Sequence, residues 1–543
     1  MREVPGPRPV RARRAGFRSL ATALLATASA PAIAQGLQPQ VGAPVELGDL
    51  RQTFERVYDR QPRIPDRAWT ITPAIDLQVS ATNNAAGLGV NNAKGGGDIL
   101  TTLTPSIGIQ GETSKLRGSL FYAPQLTYYA VNTNQNGINQ NLGGNGTLTI
   151  FEDLLTLNAS AYATDTAARG GLAPTPGVPI AAQNRIQTTS FQVGPQLSHR
   201  FGDYGRFEAG YTFSYLNQYG QGVIQPNPFT APFNQGVTTT NTGFVKFTSG
   251  EVFGRFFFSP IVSGVVYDGT GVLDGAYRYA QVVSLGYAVT RGFTVIGDLG
   301  HQNLYYAGTT PYKYDGLTWA LGARWQPDPD SRFTFTYGKR DGGTNYYFDG
   351  TTAPTARTRL TARYSEGVST GAEQIQSAIL AADFDSYGVP IDRNTGAPLA
   401  FTSNFGGMNG NVSRVSSFSV TGALLRDLDT YSLSLQYQAY QTLSSNTINA
   451  GPNNSAWVTG TLAYQRQISQ ALSGSTTVSY SARNGQGAGT ATQQTVSLTA
   501  GLFYALSETL STRALFTYSH SNSNTPGFGY DMSMITVGLR KGF

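Results

Sequence analysis

From Trp69 onward, apolar and polar residues alternate with a period of two. Trp69, Ile71, Ile75, Leu77 and Val79 are apolar, while Thr70, Thr72, Asp76 and Gln78 between them are polar. Successive side chains of a strand point to opposite faces, so this pattern describes one apolar and one polar face. A tilted strand of about 9–11 residues crosses a bilayer. The same pattern returns at 99–111, 116–130, 143–151, 155–163, 187–200, 206–219, 239–249, 254–266, 276–289 and 293–305. It continues at 316–326, 332–345, 355–365, 412–425, 430–440, 455–467, 472–482, 493–505, 510–520 and 530–543. Short turns at Glu112–Lys115, Glu152–Leu154, Gly202–Gly205, Thr290–Gly292, Gln326–Ser331 and Ser507–Thr509 alternate with longer links rich in Gly, Asn and Pro, such as 82–98, 164–186 and 220–238. Short turns on one side and long loops on the other predict an all-β fold, a transmembrane antiparallel up-and-down barrel of about 20–22 strands over residues 68–543.

The last stretch carries the same information in concentrated form. Ile535, Val537, Leu539 and Phe543 share one face, and Thr536, Gly538, Arg540 and Gly542 share the other. A closed barrel needs its last strand to pair with its first and face lipid. The terminal Phe543 resembles the signal by which outer-membrane barrels are recognised for insertion, so lipid and the barrel-insertion machinery are the expected partners.

The N-terminus changes how the charge is read. Residues 1–18 hold six arginines and one glutamate, Leu20–Ala30 is apolar, and Ala32-Ile33-Ala34 suits cleavage before Gln35. This predicts a secretory signal peptide over 1–34. Removing it from the 38 basic and 32 acidic residues of the chain leaves 32 and 31. A nearly neutral mature chain has no footprint for nucleic acid. With no cysteine, no disulfide framework supports the exported chain. Residues 35–67 form a periplasmic lead-in, with Leu47, Leu50, Phe54 and Val57 at helical spacing.

The pattern comprises twenty-one segments, but both barrel ends belong in the periplasm, which requires an even number. Turn polarity places the missing crossing in 366–411. Two readings stay open there: an irregular periplasmic insert with a strand near Leu399–Asn404, or a gate crossing the lumen, since Ile375, Ala378, Ile379 and Ala382 have helical spacing.

On the outer face, Tyr128, Tyr211, Tyr287, Trp325 and Tyr504 suit interfacial anchoring. The inner face presents hydroxyls and amides with scattered charges. Its candidate lumen-lining residues are Asp76, Gln78, Arg117, Gln125, Arg278, Asp298, Arg324 and Arg340. A neutral wall of donors and acceptors suits a sugar chain or another polar solute, whereas an anion pore would be strongly basic. Catalysis finds no support. The three histidines (His199, His301 and His520) are scattered, and no nucleophile elbow or metal-ligand cluster occurs. No catalytic residue, metal or cofactor is expected.

The segment Trp319–Arg332, with Gly322, Trp325, Pro327 and Pro329, followed by Tyr337, Gly338 and Arg340, resembles one barrel family: the outer-membrane proteins associated with PEP-CTERM/exosortase and exopolysaccharide loci. Trp69 to Pro73, Thr104-Pro105 and Tyr364–Ser369 fit the same pattern, so the resemblance runs over 69–543. It implies an accessory role in the export or surface assembly of polysaccharide, with polysaccharide and periplasmic export proteins as partners. It carries over no catalytic residues. Physically, Pro327 and Pro329 fix a turn, and Gly322 and Gly338 relieve crowding on the wall. The expected function is a pore or accessory component for exopolysaccharide. The alternatives are a general diffusion porin and a plugged structural or adhesive barrel.

Overall fold

The computed structural model describes residues 69–85, 96–167, 185–220, 236–384, 390–392, 410–445, 454–486, 492–524 and 529–543. The expected signal peptide and lead-in lie outside the described residues. Trp69–Thr82 (β1), Asp98–Glu112 (β2), Leu116–Tyr122 continued by Gln125–Tyr129 (β3), and Gly137–Asn139 continued by Leu142–Phe151 (β4) open the sheet. Leu155–Ala167 (β5), Arg185–Arg200 (β6), Gly205–Gly220 (β7), Gly236–Ser249 (β8), Phe256–Gly269 (β9) and Tyr277–Ala288 (β10) follow. Then come Phe293–Tyr306 (β11), Tyr312–Asp328 (β12), Ser331–Arg340 (β13), Gly343–Thr355 (β14) and Thr358–Thr370 (β15). One helix, Gly371–Ala381 (α1), precedes Asn411–Arg426 (β16), Asp429–Ser445 (β17), Asn454–Gln467 (β18), Leu472–Gln486 (β19), Gln493–Ala505 (β20), Leu510–Ser523 (β21) and Tyr530–Gly542 (β22).

Each strand pairs antiparallel with its sequence neighbour, and β22 returns to β1 from Ala74↔Gly542 to Thr82↔Met534. The result is a closed ring of twenty-two strands. The Phe543 amide donates to the Pro73 carbonyl at 3.0 Å, so the terminal residue completes the seam. Closure gives every strand a partner on both sides, the condition for strands to cross lipid.

The faces are inverted relative to a soluble protein. Leu77 and Val79 are exposed while Asp76, Gln78 and Ser80 are buried, and in β22 Ile535, Val537 and Leu539 face out while Thr536 faces in. The aromatic residues expected as anchors, Tyr128, Tyr211, Tyr287, Trp325 and Tyr504, are all exposed on the outside. No described helix is long and apolar enough to cross a membrane.

Ends differ as expected. The end bearing Trp69 and Phe543 (the near end) has connections of two to six residues, such as 329–330, 427–428 and 250–255. The far end carries the long links. The missing crossing is β14, however, and not a strand within 366–411. The Asp341-Gly342 pair, both at positive φ, joins β13 to β14 in a two-residue far-end turn. An Asp-Gly turn of this kind matches the strand twist, and being so short it hides inside an alternating run. The 366–411 insert also lies at the far end rather than the periplasmic one. Its only described strands, Ala382–Phe384 and Pro390–Asp392, pair with each other and stay outside the barrel sheet. Leu399–Asn404 lie outside the described residues.

Two glycines show why the wall closes tightly around β12 and β13. A Cβ on Gly322 would sit 2.0 Å from the Phe335 carbonyl oxygen, and one on Gly338 would sit 2.0 Å from that of Trp319. Backbone cannot yield there as a side chain would.

A lumenal constriction at the far end

The short β13–β14 hairpin leaves a gap. β12 begins at Tyr312 but pairs with β13 only from Trp319, so its first residues lack that neighbour. The far ends of β15 and β16 lean into the space. In β15, Leu360 is exposed outward, and steps of two place Val368 on the same face, yet Val368 is only 1% exposed. In β16, Phe418 faces out while Val412, of the same parity, is fully buried. Val368 and Val412 join Leu304, Tyr306, Ala372, Ile375 and Ile379 in one buried cluster, with Tyr312 and Tyr314 packed against it. The barrel thus grows an apolar core inside its far end.

The chain then enters α1 through a reciprocal cap. The Thr370 hydroxyl accepts from the Glu373 amide at 3.3 Å, and the Glu373 carboxylate accepts from the Thr370 amide at 2.6 Å. This satisfies two of the amides a helix start leaves unpaired. The same carboxylate reaches β9 and β11, accepting from the Tyr267 hydroxyl and from the Tyr306 hydroxyl at 3.1 Å. Ala372, Ile375 and Ile379 supply the buried face, so the helical spacing seen in the sequence is a helix in the lumen.

A latch of charged groups ties this insert to the wall. Arg278 of β10 donates to the Val368 carbonyl at 2.6 Å and to the Tyr306 hydroxyl at 3.1 Å, and lies 3.6 Å from Asp341. Asp341 accepts from the Gln302 side chain at 2.6 Å and from the Val368 amide at 3.2 Å. Its own carbonyl accepts from Tyr312 at 2.7 Å and from Arg414 at 3.0 Å. A buried ion pair offsets its desolvation only when further hydrogen bonds satisfy its remaining polar atoms; Asp341 meets this condition, whereas the buried Nε of Arg278 has no hydrogen-bond partner. Asp341 sits in the turn, outside the strands. Burial pushes its carboxyl up, but Arg278, Arg340 and the donors from Val368 and Gln302 together hold it below the ordinary 3.8.

The opposite sector is different. Across β19–β22, β1 and β2, the buried inner side chains are mainly hydroxyls and amides: Ser481, Thr495, Ser497, Thr517, Ser519, Thr536, Ser80 and Thr102. Ser80 and Thr536 bond at 2.8 Å. Among the described residues, one ion pair stands on this inner wall. Arg513 forks onto Asp76, with its terminal nitrogen 2.7 Å from one carboxylate oxygen, and donates to Gln78 at 2.8 Å.

The candidate residues therefore scatter. Arg278 enters the latch, with Arg340 acting on Asp341 by charge. Asp298 accepts from Ser284 on the neighbouring strand. Asp76 and Gln78 belong to the Arg513 cluster. Arg324 faces inward lower on β12. Gln125 is half-buried on β3, and Arg117 is solvent-exposed at the near-end rim, 3.9 Å from Glu112. His301 pairs with Asp315 and His520 with Asp531 on the outer surface, away from the constriction. Asp341, Glu373, Gln302, Arg414 and Arg513 escaped the sequence reading. The Thr370-x-x-Glu373 spacing is a cap signature that would have found one of them.

Residues 413–543, the last seven strands, match the family described as "Putative beta-barrel porin 2". No curated protein matches the chain. Among solved structures, the FrpB iron transporter from Neisseria meningitidis aligns with a TM-score of 0.50 at 10% identity, over 88% of this chain and 83% of that one. The siderophore receptor PirA from Acinetobacter baumannii aligns with a TM-score of 0.46 at 8% identity, over 87% and 80%. At such identities the likeness is one of fold: a large closed antiparallel β-barrel.

Proposed function

We propose that this barrel is a passive outer-membrane pore for small polar solutes, narrowed from the exterior by α1 and the inward ends of β15 and β16. Short turns face the periplasm and long loops the outside in such barrels, which puts the constriction on the external side. The observation that carries the reading is the Arg278–Asp341–Glu373 latch. It fixes a segment inside the lumen, and a segment held there restricts passage by size. The porin likeness of residues 413–543 points the same way. Passage of a neutral saccharide chain, as in exopolysaccharide export, is the second reading, and the hydroxyl sector favours it.

Single-channel conductance in a planar bilayer tests both, with the intact chain and with residues 371–398 deleted. The filter reading expects a measurable current that rises on deletion. Equal currents from two folded barrels would sink it. Interruption of the current by neutral oligosaccharides would promote the saccharide reading, and indifference to them would remove it.

A further inference from the structure

A second charged group lies on the inner wall nearer the periplasmic end, away from the latch. The strand registers place Thr294, Arg324, Thr334, Asp349, Arg363 and Ser419 side by side from β11 to β16. The next inner row toward the near end is Arg332, Thr351, Thr361 and Thr421, and the next toward the far end is Gly322, Thr336, Tyr347, Ser365 and Ser417. These rows contain three arginines and a single acid, Asp349.

That acid is already engaged. Arg363 donates its Nε to Asp349 at 2.9 Å and a terminal nitrogen to the same oxygen, while Arg332 lies 3.9 Å away on the other oxygen. Arg324 is left over. Among the described residues it forms no ion pair, and its buried Nε has no hydrogen-bond partner. Three guanidiniums against one carboxylate leave an excess of two positive charges facing the lumen. Threonine hydroxyls and Tyr347 surround them.

We propose that Arg324, Arg332 and Arg363 form an oxyanion subsite that takes the carboxylate or phosphate group of a small solute. A guanidinium offers a planar fork of donors matched to such groups. An acceptor supplied by the solute would meet the terminal nitrogens of the half-buried Arg324 guanidinium, which are not among its buried atoms. Adjacent strands lie about 4.8 Å apart, so Arg324 and Arg363 are separated by roughly 14 Å at the backbone, within reach of one anion held between their long side chains. The subsite relies on the pore reading for its role in transport but not for binding.

The test is calorimetric titration of the folded, detergent-solubilised barrel with inorganic phosphate, alongside bilayer currents with and without phosphate. Arg324→Gln should weaken phosphate binding by about tenfold or more, the scale of a lost charge-assisted hydrogen bond. Arg324→Lys, which keeps the charge without the fork, should fall between. Arg357→Gln, which breaks an exposed pair with Asp427 at the near-end rim, should bind like the parent. Circular dichroism checks that each variant folds. Absence of phosphate binding, or binding that Arg324→Gln leaves within about twofold, would overturn the subsite. Phosphate binding by a barrel that passes no current would uphold the subsite and remove the pore. A current indifferent to phosphate, without binding, would do the reverse.

Discussion

The inner wall has two sectors that solve one problem in opposite ways. From β9 to β16 it carries long charged and aromatic side chains, and at the far end several of them bond to α1, to β15 or to the β13–β14 turn: Tyr267 and Tyr306 to Glu373, Arg278 to Val368, Gln302 to Asp341. From β19 round to β2 the wall is made of short hydroxyls that bond to their neighbours, as Ser80 does to Thr536. Both sectors are polar, as any water-facing barrel interior must be. What separates them is reach. Long side chains can seat a segment such as α1, whereas serines and threonines reach only the adjacent strand. Polarity alone says nothing about whether a wall is free or occupied.

Several substitutions would break or sharpen that contrast. The largest effect is expected from Gly338→Val in the occupied sector. Its Cβ would meet the Trp319 carbonyl at 2.0 Å, so no folded barrel should be recovered in detergent. Gly538→Ala on β22 should fold, because its nearest obstacle is the Arg513 guanidinium carbon at 2.9 Å, part of a side chain that can move. Equal yields of the two folded proteins would contradict the close approach seen at Gly338.

Next comes the pair of buried ion pairs. Asp341→Ala strands Arg278, and Asp76→Ala strands Arg513, each expected to cost about 3–5 kcal/mol in denaturant titration. Only Asp341→Ala should also raise conductance, since only it anchors the lumenal segment. An equal rise from Asp76→Ala would show that α1 does not set the current. A smaller effect, about 0.5–1.5 kcal/mol, is expected from Thr536→Val in the hydroxyl sector, with conductance unchanged.

The smallest response concerns pH. The Asp341 carboxyl is held below 3.8 in the folded state. A depressed carboxyl contributes stability above its unfolded value and loses it only as pH falls through the folded one. Its share of the latch should therefore persist from neutrality to about pH 4, with current rising only below that. A rise already near pH 6 would assign the latch to another group.

The legible and illegible parts divide along physical lines. Strand identity was open to reading because a bilayer outside and water inside impose period two on every crossing. Strands such as 143–151 and 239–249, with weak alternation, still fell in place. The even count exposed an error but misplaced it, because Asp341-Gly342 turns the chain in two residues where other far-end links run longer. The helical spacing of Ile375 and Ile379 was visible, but what the helix packs on was not. Arg324 and Arg278 look alike in sequence and each buries an unpartnered Nε, yet only Arg278 has its terminal nitrogens engaged by the protein.

By itself, then, the sequence determined a barrel with a lipid-facing exterior, a polar interior, and a last strand built to close on the first, because these follow from local alternation and from the solvent on each face. Only the tertiary structure decided what fills the lumen. Tyr267, Arg278, Asp341 and Glu373 are separated by up to 106 residues and stand on four different elements. Their meeting depends on one short hairpin that lets two neighbouring strands lean inward, and such a geometry leaves no periodic trace along the chain.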